Sequence, residues 1–183
     1  DLDRMAEAGI NAVSIQYLDA AQAPQLRYFV SEARRRNIRV QVFVAHLQPL
    51  DQDLEKAKTL VAAAELANEP GVFALDIAWE PHLGREADRK RLDDAWRQWI
   101  VEQYGDVKHA EKVIGMPLWR EAGELTGPPD EELTKDGSHR VRVAVYRRFV
   151  DDYMSRRYGH VVRSLRKWNV QQLVSARTGF GGT

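Results

Sequence analysis

The chain has 183 residues, 44% of them apolar, and its 27 basic residues are matched by 27 acidic ones. That is enough for one well-buried domain, and the charge balance points away from nucleic acid and anionic membrane surfaces as partners. No apolar run approaches the ~18 residues of a membrane-spanning helix, and the lack of cysteine excludes disulfides, thiolate catalysis and cysteine-built zinc sites.

Leu2, Met5 and Ala6 recur at helical spacing, and Gly9 is placed to cap that helix. Residues 11–17 then alternate with period two, which predicts a strand. A helix follows over 23–36 with Leu26, Phe29, Val30 and Ala33 on one face, and 38–44 form a β-branched second strand. Asp51 is expected to cap an alanine-rich helix reaching about Leu66, and 72–78 form the third strand. Beyond Gly84 a helix runs to about Tyr104, and an irregular stretch with turns at Gly123, Gly127, Pro128 and Pro129 occupies about 106–139. A second long helix is expected over 140–167, then a fourth strand over 171–177.

Strands alternating with helices predict an α/β fold with a parallel sheet. Parity refines this. Val13 and Ile15 share one face, as do Val40, Val42 and Val44, and then Phe73, Leu75 and Ile77. The opposite face is read as small or polar, with Ala12, Ser14 and Gln16, then Gln41, Phe43 and Ala45, then Ala74, Asp76 and Ala78, a series that Glu80 continues. A sheet buried by helices on both faces would be bulky and apolar on both, whereas one apolar face suits part of a TIM-type (β/α)8 barrel. Such a barrel needs about 250 residues, so residues 1–183 are expected to be an excerpt holding four of its eight strands, in one partial-barrel domain.

In a barrel the chemistry sits at the carboxyl ends of the strands. Glu80 stands there, two residues before His82 and directly after Trp79. Gln16, Tyr17, His46 and Arg177 lie at or just past the ends of the other strands, and Trp119 lies in the long loop. These are the candidate substrate-binding residues. His109, His139 and His160 are scattered, so neither a metal nor a cofactor is expected.

The entry Met5-Ala6-Glu7-Ala8-Gly9-Ile10-Asn11-Ala12-Val13, the strand Phe73-Ala74-Leu75-Asp76-Ile77-Ala78-Trp79-Glu80-Pro81 and the segment from Trp96 to Gly105 carry a resemblance. Together with a later helix around Tyr146–Tyr153, they resemble glycoside hydrolase clan A, most nearly the family 42 β-galactosidase-like enzymes. The resemblance implies that the strands are the second to fifth of the barrel and that Glu80 is the general acid/base of a retaining hydrolase. Its nucleophile would then lie on a later strand outside this chain. Asn68-Glu69-Pro70 spells a triplet common in such enzymes, but it precedes the third strand and so falls on the wrong end of the barrel. The family usually has asparagine before the acid, accepting and donating at the sugar's 2-hydroxyl, whereas Trp79 can only donate. A carbohydrate is the implied partner, and trimers are common in the family, which leaves a homo-oligomer open. The alternatives are a non-hydrolytic carbohydrate-binding or degenerate barrel and, ranked last, a sugar isomerase or aldolase. The latter would call for metal ligands or a strand-end lysine.

Overall fold

The structure is a computed structural model that describes residues 1–81, 83 and 85–177. The chain divides into two compact units, the first being Asp1–Pro81 together with the stretch from Tyr158 onward, the second His82–Arg157.

In the first unit, helices α1 (Leu2–Glu7), α2 (Ala23–Arg35) and α3 (Leu54–Ala63) alternate with strands β1 (Ala12–Tyr17), β2 (Arg39–Val44) and β3 (Val72–Trp79). The last ten residues of a 28-residue helix, α8 (Arg140–Lys167), lead into β6 (Leu173–Arg177). The four strands form one parallel sheet in the order β1-β2-β3-β6, so each is laid beside its predecessor with no reversal. Right-handed crossovers in that order keep every connecting helix on one face. The core agrees: Leu26, Val30 and Ala33 of α2, Leu60 and Val61 of α3, and Val161 and Leu165 of α8 lie in one buried cluster with Val40, Val42, Val44, Leu75 and Ile77.

Four helices end alike. After α1, α2, α3 and α8, the residues Gly9, Asn37, Glu65 and Asn169 take positive φ, between 55° and 76°. Each time the next residue donates its N–H back into the helix: Ile10 to Met5, Ile38 to Ala33, Leu66 to Val61 and Val170 to Leu165. This is the Schellman arrangement, whose apolar residue after the turn covers the last helical turn. Four repeats of one αβ junction set four strand starts at one end of the sheet. The α3 cap is Asp53, not Asp51, its side chain accepting from the Lys56 N–H at 2.9 Å.

Strand β3 departs from simple alternation at both ends. Val40 pairs with Val72 but Gln41 pairs with Ala74, so Phe73 is an extra residue in β3. Val72 takes the core position and Phe73 is exposed, against the parity expectation for Phe73. Farther on, Asp76 pairs with Ser175 while Trp79 pairs with Arg177, which inserts a second extra residue. A bulge of this kind reverses the facing of everything beyond it.

The second unit contains α4 (Glu86–Lys90), α5 (Asp93–Tyr104), α6 (Val107–Ile114), a hairpin of β4 (Arg120–Glu121) and β5 (Glu124–Leu125), α7 (Asp130–Thr134) and the start of α8. The helix expected after Gly84 is therefore broken near Leu92, and the stretch at 106–139, expected to be irregular, carries two helices and a hairpin. Ala122 and Gly123 both have positive φ, as a two-residue hairpin turn requires. Trp96 anchors this unit, with ring centroids 5.2 Å from Tyr146, 5.3 Å from Phe149 and 5.6 Å from Trp99.

Candidate functional site

The polar face of the sheet gathers side chains from all four strands. The Asp76 carboxylate, 0% exposed, lies at its centre. Its Oδ2 accepts from Nε of Arg177, while Nη2 of the same guanidinium donates to Ser14 Oγ at the far edge of the sheet. Gln41 Nε2 donates to Ser175 Oγ at 3.1 Å between them. Oδ1 of Asp76 has no partner among the described residues.

Toward the carboxyl ends of the strands this floor meets an aromatic cluster. The Arg177 guanidinium lies 5.0 Å from the Trp79 ring centroid and 5.7 Å from that of Phe43. Phe43 in turn meets Trp79 edge-on at 6.2 Å and His46 at 5.5 Å. The second bulge of β3 explains why Trp79 is here. Strict alternation would have put Ala78 and Glu80 on this face and Trp79 on the other; the inserted residue turns the indole to Arg177, where it stays 42% exposed.

The loop after β2 is pinned to the end of β3 by a run of hydrogen bonds. Leu47 N–H donates to Ile77 O at 2.7 Å, and Gln48 Nε2 donates to Trp79 O at 3.0 Å. Tyr158 Oη donates to Leu47 O at 2.9 Å. The Trp79 N–H donates to His46 Nδ1 at 3.3 Å. The imidazole stands where a carbonyl of β2 would have been, had the strand continued. To place it, Ala45 and His46 both adopt positive φ, at 70° and 46°. Glu80 does the same at 43°, its N–H donating to Arg177 O at 2.7 Å. Left-handed backbone at non-glycine residues costs about 1–2 kcal/mol each. Three such residues at two adjacent strand ends, with no helix to cap, is the pattern of a strained functional rim.

The structure thus brings together Trp79, His46, Arg177 and the backbone of Glu80. Glu80 itself is corrected in its facing: the inserted residue gives its place in the polar-face series to Trp79, and Glu80 is exposed, its carboxylate making no hydrogen bond or ion pair with the described residues. Gln16, exposed, holds the register position of Phe43 on β1. Tyr17 is corrected: it continues the Val13–Ile15 series into the helix-covered core at 1% exposure, so its ring does not reach the polar face. Burial raises its phenol above the usual range. Trp119 is corrected as a free stacking surface. In the second unit it is 8% exposed, its indole N–H donates to Glu132 Oε2 at 2.9 Å, and the Arg142 guanidinium covers its ring at 4.7 Å. His82 lies outside the described residues. Glu69, just before the amino end of β3, accepts from the Gly71 N–H at 2.9 Å and closes the turn into that strand.

No family model, curated protein or solved structure matches the chain. The site therefore has to be read from its own residues. Sequence reasoning passed over Asp76, Phe43 and Ser14 as members of it. The one available signal was a carboxylate inside an otherwise apolar strand, which must find a partner when buried. Among the described residues no group of acidic or histidine side chains is arranged to hold a metal. What the arrangement offers is hydrogen-bonding groups of both kinds, a part-exposed indole and an unengaged carboxylate at one strand end.

Proposed function

We propose that the chain is part of a retaining glycoside hydrolase on a (β/α)8 barrel, with Glu80 as its general acid/base. The observation that carries the reading is the Glu80 carboxylate, exposed and unpartnered at the carboxyl end of β3 and one residue beyond the indole of Trp79. In-order strand addition with helices on a single face supports the barrel, since closing such a sheet encloses its polar face.

In this reading Glu80 protonates the glycosidic oxygen as the bond to the sugar breaks, then removes a proton from the water that releases the glycosyl-enzyme. The carboxylate that attacks the anomeric carbon must stand about 5–5.5 Å away, on a strand outside these four. Trp79 presents its ring to the sugar's C–H face, and the Arg177, Ser14 and Gln41 groups meet hydroxyls. A β-galactoside or related β-glycan is the substrate class.

The runner-up is a barrel that binds a glycan without cleaving it, favoured by the part-exposed Trp79 standing where a hydrolase of the resembling family has asparagine. Glu80→Gln in the full-length protein separates the two. For the hydrolase, turnover of alkyl β-glycosides falls on the order of 100-fold or more, while aryl glycosides with acidic leaving groups lose far less in the first step. Equal losses on both, or none, overturn the acid/base role.

A further inference from the structure

We propose that Arg177 is the positioning residue of this site, its clamped guanidinium fixing the indole of Trp79 while its carbonyl fixes the turn that carries Glu80. Three independent restraints hold the guanidinium. Asp76 grips Nε from below, Ser14 takes Nη2 from the opposite edge of the sheet, three strands away, and Phe43 lies against its face at 5.7 Å. Such a planar cation has little freedom left, so the ring resting on it at 5.0 Å is held too. From the other side Trp79 is gripped only through its backbone, by His46 and Gln48. The indole itself has no hydrogen bond among the described residues, so its orientation rests on Arg177 and Phe43.

The same residue acts on the acid through its main chain. The Glu80 N–H donates to Arg177 O at 2.7 Å and anchors a left-handed residue that its neighbours must hold in place. One residue thereby fixes both the stacking ring and the start of the acid's side chain. Asp76 and Ser14, which touch neither, act through it. A lysine at position 177 would keep the charge and reach Asp76, but it would lose the flat surface and the second donor to Ser14.

The kinetic part of this inference rests on the hydrolase reading; the structural part does not. The test labels the full-length protein with 5-fluorotryptophan and assigns the Trp79 resonance by its loss in Trp79→Phe. In Ser14→Ala, Asp76→Asn and Arg177→Lys the Trp79 resonance is expected to move, least for Ser14→Ala, while the other tryptophan resonances stay in place. Ser14 is exposed, so Ser14→Ala keeps the fold and keeps the test decisive should the other two misfold. Glycoside turnover by Arg177→Lys should fall on the order of 100-fold, the scale of a misplacement of about 1 Å. A Trp79 resonance unmoved in Arg177→Lys or in Ser14→Ala overturns the proposal, as does a shift of every tryptophan in Ser14→Ala. If Trp79 alone moves but the wild-type protein turns over no glycoside, the positioning role stands and the hydrolase reading falls.

Discussion

Asp76 and Arg177 are diagonal neighbours on adjacent strands: Asp76 pairs with Ser175, and Arg177, two residues on and on the same face, folds back to bond the Asp76 carboxylate. The pair is lopsided in its access to water. Asp76 is sealed at 0% side-chain exposure while Arg177 keeps 32%.

That asymmetry decides which substitution is worse. Arg177→Met strands a buried charge and should cost about 3 kcal/mol or more. Asp76→Asn leaves a guanidinium that water still reaches, and should cost clearly less. Replacing both with apolar residues should recover much of the loss. Urea midpoints at unchanged slope are the measurement, and equal costs for the two single variants would contradict the burial argument.

The His46 imidazole accepts the Trp79 N–H at 3.3 Å. His46→Ala should cost about 1 kcal/mol for the orphaned donor, and the left-handed strain at position 46 stays because alanine keeps the Cβ that causes it. KM for glycosides should rise while kcat changes little, since the acid is anchored separately. Steady-state kinetics beside thermal unfolding check both halves.

Two glycines of the first unit resist substitution for different reasons. A Cβ at Gly71 would stand 2.6 Å from Val30 Cγ1, and a valine in a helix has one strongly preferred rotamer. Gly71→Ala should therefore cost about 1–3 kcal/mol by overpacking. At Gly9 nothing lies within 4 Å, and only the positive φ of 76° objects. Gly9→Ala should cost about 1–2 kcal/mol, and relief of crowding by Val30→Ala should help Gly71→Ala alone.

Acid should weaken the second unit through two carboxylates. Arg120, then the Leu118 N–H, hold Glu111 below its ordinary value against burial. Burial pushes Glu132 up, but Arg142 and Trp119 outweigh it and leave that carboxyl lowered as well. A depressed folded value stabilises above the ordinary 4.5 and is lost as pH falls through the folded value. Glu132→Gln should thus be less stable at neutral pH yet lose stability less steeply below pH 4.5. Burial raises the Tyr146 phenol, so the opposite loss should appear as pH rises above its ordinary value of 10.0.

Much of the first unit was legible. Val13 and Ile15, then Val40, Val42 and Val44, mark the helix-covered face by parity alone, and the same parity should have placed Tyr17 with them. Its phenol suggested a strand-end ligand contact, and burial won. In β3 parity held for Leu75 and Ile77 but failed at both ends, because an inserted residue such as Phe73 carries no compositional mark. The turning of Trp79 onto the polar face was hidden for the same reason. Glycine announced the end of α1, and Asn37 and Asn169 could have announced two more, whereas Glu65 at the same turn is a conformation imposed by the junction. Arg177 could be placed at a strand end, but its grip on Asp76 depends on strand neighbours that only the sheet order supplies.

The most direct test of the whole account is the product formed by Glu80→Ala in the full-length protein from an activated aryl β-glycoside with added azide. Azide needs no general base to attack a glycosyl-enzyme. The account predicts faster turnover with azide and a β-glycosyl azide as product. Unchanged turnover with no azide adduct, or an adduct of α configuration, would contradict Glu80 as the acid/base.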